Sequence, residues 1–336
     1  MSSAPAREGT TRSRRVVDVP LLVEQAGGQV PALRARAVAR LISLIEDASP
    51  ALREAMALLA PRAGHARVVG VTGSPGVGKS TSTNALVAAY RRQGKTVGVL
   101  AVDPSSPFSG GALLGDRVRM QEHATDDGVF IRSMASRGHL GGLSWAAPQA
   151  LRVLSAAGCD VVLIETVGVG QAEVEVASLA DTTLVLLAPG MGDGIQAAKA
   201  GILEVADVFV VNKADRDGAD TVVRDLRYML SLGDRRTEEG WRVPIVKTVA
   251  ARGEGVDDVL AEIERHSAWL EASGQLLVRR RRRAADEVEA LALAVLRERI
   301  GDVSGSDALA ELAGRVAAGE LDPYAAADEL VAIVTS

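Results

Sequence analysis

A glycine-rich loop near residue 75 has the residue types and spacing that bind phosphate groups. The run Gly73-Ser74-Pro75-Gly76-Val77-Gly78-Lys79-Ser80 fits the pattern G-x-x-x-x-G-K-[ST]. It follows an apolar run at 68–71 and precedes a helix-like stretch at 81–92, which is the context that the pattern requires. Glycines let backbone N–H groups converge on phosphates, Lys79 can reach the terminal phosphates, and Ser80 offers a hydroxyl to Mg²⁺. The loop therefore predicts a site for a nucleoside triphosphate.

A second motif, Asn212-Lys213-Ala214-Asp215, favours guanine as the base. Guanine presents the N1–H and N2–H₂ donors on one edge, and the single carboxylate of Asp215 can accept both. Adenine presents an acceptor at N1, so the same carboxylate would be left unpaired, which is how sites reject a wrong ligand strongly. The motif follows the apolar run 208–211 and would lie at the carboxyl end of a strand, where open parallel sheets bind ligands. GTP and GDP are the expected nucleotides.

Composition limits the class of protein. The chain has 336 residues, 47% hydrophobic and only 3% aromatic, so the core must consist of Val, Leu, Ile and Ala, as in a buried parallel sheet. A net charge of −5 offers no general electrostatic attraction to nucleic acid or to a membrane. The one cysteine, Cys159, excludes an internal disulfide and fits a reducing compartment, so we expect a cytoplasmic protein with this thiol packed in the core.

Alternating strand and helix patterns indicate the fold class. Strands are predicted at 67–72, 96–102, 129–132, 160–165, 182–187, 207–211 and 243–247. Helices are predicted between them at 79–93, 112–124, 145–157, 196–204 and 217–232. This alternation predicts an α/β fold with a doubly wound, mostly parallel sheet.

Helical patterns flank this region on both sides. Two helices separated at Ser49-Pro50, with Pro50 starting the second, are predicted within 31–59, and four helices are predicted at 256–271, 275–300, 306–317 and 322–334. We therefore expect a disordered tail at 1–15, an N-terminal helical segment at 16–65, a phosphate-loop domain at 66–255 and a C-terminal helical region at 256–336.

Three carboxylates are candidates for holding Mg²⁺ and supporting hydrolysis. Asp103 and Glu165 each follow an apolar strand, the arrangement in which an acidic residue holds Mg²⁺ or its waters, or orients the attacking water. Asp116 lies in a glycine-rich segment that could move. Gly168 could sense the γ-phosphate through its backbone N–H, and Gln171 could orient water.

Three further segments have candidate roles. The loop 190–196, with Lys199 one turn on, is either a simple turn or a nucleotide-responsive loop. The backbone of Ala250-Ala251-Arg252 could donate N–H groups to guanine O6. The five arginines at 279–283 favour pairing with neighbouring carboxylates or a subunit contact over binding of nucleic acid or acidic lipid, and the four scattered histidines do not favour a transition-metal site.

Six motifs in this order resemble the MeaB/ArgK family of P-loop G proteins. The segments that carry the resemblance are Gly73 to Thr81, Asp103 to Pro107, Gly110 to Arg117, Glu165 to Gln171, Gly192 to Gln196 and Asn212 to Asp215. The one departure is at 248–252, where Ala250 stands at the place of a serine that the family usually carries before Ala-Arg.

The resemblance implies a function, partners and roles for site residues. It implies a chaperone of adenosylcobalamin-dependent methylmalonyl-CoA mutase that gates cofactor loading and protects the mutase, with slow GTP hydrolysis that the partner stimulates. It also implies Mg²⁺ and hydrolysis roles for Asp103, Asp116 and Glu165, a switch-loop role for Lys199, and a homodimer formed through the C-terminal helices. Isobutyryl-CoA mutase would be a partner with the same need.

The sequence leaves two other functions open. One is an ATP-dependent kinase or ATPase linked to amino-acid transport, although no protein-phosphorylating site is recognised. The other is a metallochaperone-type GTPase of nickel enzymes, which would need a His/Cys cluster near the phosphate loop that this sequence does not place there. Arg117 and Arg137 are the candidates for an arginine that compensates charge during hydrolysis, and each is more typical of a surface charge.

Overall fold

One parallel sheet organises the chain. The computed structural model describes residues 17–103, 123, 125–135, 143–166, 172–190, 202–232, 240–300 and 306–335. The strands run β1 (Arg67–Gly73), β2 (Val97–Asp103), β3 (Val129–Ala135), β4 (Val161–Thr166), β5 (Thr182–Leu187), β6 (Val208–Val211) and β7 (Ile245–Lys247). Their order in the sheet is β3-β2-β4-β1-β5-β6-β7, and every pairing between them is parallel. The predicted fold class is confirmed.

Eleven helices are found among the described residues. They are α1 (Val19–Ala26), α2 (Pro31–Glu46), α3 (Leu52–Leu59), α4 (Lys79–Arg92), α5 (Leu143–Ala156), α6 (Ala172–Leu179), α7 (Ala219–Leu232), α8 (Val256–Ala272), α9 (Gln275–Ile300), α10 (Asp307–Ala317) and α11 (Pro323–Thr335). Short 3₁₀ segments occur at Ala60–Arg62, Ile202–Val205 and Ala250–Arg252.

The two faces of the sheet are both covered, which explains why its strands are continuous apolar runs. Along β4, Val161 and Leu163 belong to the core that α4 and α8 cover. Val162 and Ile164 alternate with them and pack into the opposite core, where α2, α3 and α5 lie. The sheet order turns at β1, whose neighbours are β4 and β5, and the phosphate loop leaves from the carboxyl end of that strand. This is the place at which open α/β sheets bind ligands.

The N-terminal helices belong to the same layer as α5. Arg132 of β3 donates to Glu46 of α2 at 2.9 Å and to Ser43 at 3.0 Å, which attaches α2 to the edge strand. The guanidinium of Arg34 lies 5.0 Å from the centre of the Phe130 ring. These contacts hold the N-terminal helices against the sheet on the face opposite α4.

Some predicted elements differ from the structure. Helices α1 and α6 were not predicted individually, because each has only 8 residues and too few turns to show a period. The second N-terminal helix begins at Leu52 and not at Pro50. Of the predicted helix 196–204, the described part forms the 3₁₀ segment Ile202–Val205, and the predicted helix 112–124 and the tail 1–15 lie outside the described residues. Within the described helices, no segment is both long and apolar enough to cross a bilayer.

Candidate nucleotide-binding site

The phosphate loop has a backbone that only glycine can adopt at two positions. Gly73, the last residue of β1, has φ of 139°, and a Cβ there would lie 2.3 Å from the carbonyl oxygen of Leu186. Gly78 has φ of 98°, and its Cβ would lie 2.5 Å from Nδ2 of Asn212. Both close approaches forbid a side chain. The two glycines of the motif therefore allow the loop to pack against β5 and against the guanine motif.

Lys79 begins helix α4 and turns its ammonium back into the loop. Nζ donates to the carbonyl of Gly73 at 2.6 Å and lies 3.4 Å from that of Ser74, and the residue is only 8% exposed. Ser80 follows in the first turn of the same helix, whose N-terminal N–H groups and dipole favour an anion. The loop, the ammonium and the helix terminus thus form one positively polarised pocket for phosphate.

Asn212 joins the guanine motif to the phosphate loop. Its Nδ2 donates to the carbonyl of Val77 at 2.8 Å, and its Oδ1 accepts from Thr248 Oγ1 at 3.2 Å and from the backbone N–H of Ala250 at 3.1 Å. Lys213, with φ of 57°, reaches the carbonyl of Gly76 with Nζ at 2.6 Å. The two residues after β6 therefore act as braces between three loops, a role that the linear sequence does not reveal.

Asp215 remains exposed at the end of this motif. Oδ2 lies 3.5 Å from Nη2 of Arg252, whose Nε lies 2.9 Å from Glu254 Oε1. Arg252 is thus placed beside the carboxylate that was predicted to read guanine. The sequence places Asp215 and Arg252 37 positions apart, and strands β6 and β7 bring them together.

Two of the three backbone N–H groups in the turn after β7 already donate to acceptors within the protein. Of the three residues Ala250 to Arg252, the N–H of Ala250 is donated to Asn212 Oδ1, and the N–H of Arg252 is donated to the carbonyl of Val249 at 2.8 Å. That backbone N–H groups of this turn bind guanine O6 stays a prediction.

Two of the three predicted carboxylates, Glu165 and Asp103, belong to strands that end at the carboxyl edge of the sheet. Glu165 is the penultimate residue of β4, lies in register between Val71 and Ala101, and is fully buried. Its Oε2 accepts a hydrogen bond of 2.6 Å from the Thr83 hydroxyl of α4. Asp103 ends the adjacent strand β2, in register with Ala135. Its side chain lies outside the described residues, as do Asp116, Gly168, Gln171, Lys199, Arg117 and Arg137.

The described part of the site fits a hydrated Mg²⁺. Ser80 and Glu165 supply the hydroxyl and carboxylate oxygens that Mg²⁺ prefers, together with nucleotide phosphates. Burying the Glu165 carboxylate on the face that α4 covers costs free energy unless hydrogen bonds or a cation compensate its charge. A bound Mg²⁺ would supply such a cation. Over the described residues alone, no group of three His, Cys, Asp or Glu side chains is poised to hold a metal.

The arginine run lies at the opposite, amino end of the sheet. Arg279 forms two bonds to the Asp207 carboxylate at 2.8 and 2.9 Å, and Arg280 and Arg283 both pair with Asp181. The two aspartates also accept backbone N–H groups of Thr183 and Val68, at 2.8 and 3.0 Å. Pairing with carboxylates, the favoured interpretation, thus accounts for three of the five arginines.

Burial and charge shift pKa values at this end of the sheet and around Cys159. Burial alone would raise the pKa of Asp181, but Arg283 and Arg280 hold it below its ordinary value. Cys159 is fully buried, and this burial raises the pKa of its thiol to about 12. A thiol so protonated and enclosed is inert, as expected of core packing.

Comparisons with known proteins identify the family of the chain. Residues 38–303 match the profile of the family described as methylmalonyl Co-A mutase-associated GTPase MeaB. A Pyrococcus abyssi relative is 46% identical over 297 residues, with 88% of this chain and 92% of its own length covered. The GTPase ArgK of Escherichia coli is 39% identical over 71% of this chain and 74% of its own.

Two further matches extend the comparison. The mouse mitochondrial protein named methylmalonic aciduria type A homolog is 40% identical over 63% of this chain and 52% of its own. A crystal structure of a LAO/AO transport system kinase superposes with a TM-score of 0.70 at 26% identity, covering 95% of this chain and 98% of that one. With its phosphate loop, guanine motif and parallel sheet in place, the chain belongs to the MeaB family and is a P-loop GTPase.

Proposed function

We propose that this GTPase is a chaperone of adenosylcobalamin-dependent methylmalonyl-CoA mutase, or of a related mutase such as isobutyryl-CoA mutase, and that it gates cofactor loading and protects the mutase. The family description names a mutase-associated GTPase. The mouse relative carries the name of methylmalonic aciduria. On this proposal, bound GTP or GDP decides whether the chaperone favours its complex with the mutase.

The observation that carries the proposal is the brace between base and phosphate motifs. Asn212 donates to the carbonyl of Val77, and Lys213 donates to the carbonyl of Gly76. We infer that a movement of the phosphate loop would therefore displace the guanine motif. We assign the phosphates to 73–81, with Lys79 on the terminal ones. We assign the base to Asn212, Lys213, Asp215 and the turn 250–252, with Gly168 sensing the γ-phosphate.

Four residues are proposed to hold Mg²⁺: Ser80, Asp103, Asp116 and Glu165. When bound, the ion would neutralise charge that develops on the phosphates. Ser80 would contribute its hydroxyl from the first turn of α4, and the carboxylates would orient water and the ion's own waters. The buried position of Glu165 at the sheet edge supports its inclusion.

Hydrolysis is proposed to be slow in the isolated protein. P-loop GTPases without a placed arginine hydrolyse GTP slowly, and supplying one accelerates the reaction by roughly 10³–10⁵. Of the described arginines, Arg252 near the base and Arg279, Arg280 and Arg283 at the amino end of the sheet pair with carboxylates. We infer that the mutase supplies an arginine that compensates the charge developing during hydrolysis, or orders such an arginine within this protein.

The protein is also proposed to form a homodimer through its C-terminal helices, within the division into segments 16–65, 66–255 and 256–336. Helix α9 turns Arg279, Arg283 and Glu287 towards the sheet domain. Its outer face carries apolar side chains at helical spacing, of which Leu277, Val288 and Leu296 are 55%, 66% and 52% exposed. A second copy presenting the same stripe would cover it with two-fold symmetry.

A reducing, cytoplasmic setting is part of the proposal and rests on the single, buried Cys159.

The test is GTP hydrolysis measured with and without purified mutase. We expect slow turnover alone and stimulation of at least tenfold by the mutase, with no stimulation by an unrelated cobalamin enzyme at equal concentration. Equal and fast hydrolysis in all three samples would contradict the chaperone proposal and favour a free-standing enzyme. Transfer of labelled phosphate from ATP to a partner protein would favour a kinase instead.

A further inference from the structure

A hydrogen bond below the phosphate loop connects two residues that are 82 positions apart. The hydroxyl of Thr83 donates to Oε2 of Glu165 at 2.6 Å. Both residues have no exposed surface, and the bond lies between α4 and β4. This distance is the one expected for a hydroxyl that donates to a carboxylate.

The position of Thr83 on α4 explains why its hydroxyl reaches Glu165. The helix begins at Lys79, and Thr83 lies one turn after Lys79 and three residues after Ser80, so these side chains share one face of the helix. A helical threonine commonly returns its hydroxyl to the carbonyl four residues earlier. Here the hydroxyl points to Glu165 on β4. The β-branched side chain of threonine has few alternative χ1 rotamers in a helix, which favours this orientation.

Glu165 needs such a contact because its own side chain is long and flexible. Three side-chain torsions separate the carboxylate from the β4 backbone, and only a fixed rotamer keeps it at the carboxyl edge of the sheet. A carboxylate has about four acceptor positions. The bond from Thr83 uses one of these positions.

We propose that Thr83 is a positioning residue for Glu165 and that it determines how strongly Mg²⁺ couples to the bound nucleotide. This inference rests on the proposed role of Glu165 in holding Mg²⁺ or its waters. On this proposal Thr83 is not itself a ligand and acts by holding the Glu165 carboxylate in one rotamer, about one helical turn from Lys79 and Ser80.

A purely structural role for Thr83 would give different results. If the hydroxyl only satisfied a buried carboxylate, its loss would lower the unfolding temperature without changing the ratio of nucleotide affinities measured with and without Mg²⁺. Positioning changes that ratio, because the carboxylate is then free to leave the site of the ion.

The experiment uses four full-length variants: Thr83→Val, Thr83→Ser, Glu165→Gln and the double variant Thr83→Val/Glu165→Gln. Affinity for a fluorescent GDP is measured in Mg²⁺ and in EDTA, and single-turnover hydrolysis of GTP is followed in parallel. Valine keeps the shape of threonine and removes the hydroxyl, whereas serine keeps the hydroxyl. Protection of each variant by GDP against thermal unfolding in EDTA shows that it folds.

We expect Thr83→Val to lower the single-turnover rate about tenfold and to reduce the gain in GDP affinity from Mg²⁺ by a similar factor. Its affinity in EDTA should stay within about twofold of that of the wild type, because the phosphate loop is unchanged. Thr83→Ser should restore both properties to within about threefold. The double variant should resemble Glu165→Gln alone, since the two residues act through one carboxylate.

Two results would overturn the inference while leaving the role of Glu165 intact. The first is a Thr83→Val variant whose GDP affinity still rises in Mg²⁺ as in the wild type, when that rise is lost in Glu165→Gln. The second is a double variant in which the losses of the two single variants multiply. A wild-type rate and Mg²⁺ gain in Glu165→Gln would instead refute the proposed role of Glu165, and the role of Thr83 with it. If Thr83→Val failed to fold, a Thr83→Ala variant would take its place. It would be compared with the wild type and with Thr83→Ser, which both keep the hydroxyl.

Discussion

The side-chain amide of Asn212 donates to the carbonyl of Val77 at 2.8 Å and so ties the end of β6 to the phosphate loop. The same side chain accepts from Thr248 and Ala250 on the turn after β7. Three loops that are far apart in sequence therefore share one buried residue, which is only 3% exposed. On the proposed assignment of base and phosphate motifs, Asn212 connects the two.

Replacing Asn212 by Ala should weaken GDP binding about 10- to 100-fold, because a buried donor or acceptor left without its partner costs roughly 1–3 kcal/mol. Titration calorimetry with GDP is the measurement. Asp217→Ala, on the exposed turn of the same loop, is the matched control and should bind GDP as the wild type does. Unchanged affinity of the Asn212 variant would show that the three loops hold their positions without it.

Asp215→Asn should exchange the base preference of the site. An amide can accept from N1–H but offers a donor where guanine presents its N2–H₂ donor, so affinity for GDP should fall at least tenfold. Xanthine carries a carbonyl oxygen at that position, so affinity for xanthosine diphosphate should rise. Competition against fluorescent GDP measures both changes. Wild-type protein protected equally from heat by GDP and ADP would contradict the guanine assignment altogether.

Val288→Asp should convert the proposed dimer to a monomer. Val288 lies on the outer stripe of α9, and a charge there would be buried without a partner in a two-fold interface. Light scattering at micromolar concentration gives the mass, and GDP should still raise the melting temperature of the variant. Leu21→Asp, on an exposed position of α1, is the control and should leave the mass unchanged. A wild-type protein that is already monomeric would refute the dimer.

Point substitution is a sharper test of the dimer than truncation. A chain ending at Gly274 would lose the outer stripe of α9 and keep the phosphate loop and the guanine motif. The structure shows that such a chain would lack Arg279, Arg280 and Arg283, which pair with the buried carboxylates of Asp181 and Asp207. Removing one partner of a buried pair costs roughly 3–5 kcal/mol. We therefore expect the truncated chain to be strongly destabilised.

The stability of the protein should fall below pH 6.5 because of His266. Its ring lies 2.9 Å from Thr182 Oγ1 through Nδ1 and 3.3 Å from Asp207 Oδ1 through Nε2. Burial lowers its pKa to about 4 from an ordinary value of 6.5, although Asp207 opposes the shift. Between these values the unfolded chain binds a proton that the folded protein does not. The free energy of unfolding should thus decrease by about 2–3 kcal/mol as pH falls from 6.5 to 4.

The measurement for this prediction is denaturant unfolding between pH 7 and pH 4.5. Tryptophan fluorescence is a direct probe, since Trp241 and Trp269 lie 4.7 and 5.6 Å from the His266 ring. His266→Gln should flatten the pH dependence in this window, whatever its stability at pH 7. His65→Gln, at an exposed position, should keep the wild-type slope. Parallel slopes for wild type and His266→Gln would exclude His266 as the titrating group.

Local sequence was sufficient for the motifs whose chemistry depends on neighbouring residues. The phosphate loop is a contiguous glycine-rich segment that ends in Lys79 and Ser80, and the guanine motif is the four residues that directly follow a buried strand, so both can be found by inspection. The parallel sheet was predictable as well, because strands buried on both faces are continuously apolar and alternate with helices. The short helix α1, with Asp18 as its N-cap and Pro20 in its first turn, had capping signals but too little length for a periodic pattern.

Contacts between residues distant in sequence were decided only by the tertiary structure. Nothing near Thr83 in the sequence indicates that its hydroxyl meets Glu165, and the arginine run gives no indication that Arg279 and Arg283 lie against Asp207 and Asp181. Such pairings depend on strand order and on the angle at which a helix crosses the sheet, and these follow from packing of the whole chain. The physical reason is that residue type specifies what a side chain can bond to, whereas the fold alone specifies which partner lies within 3 Å.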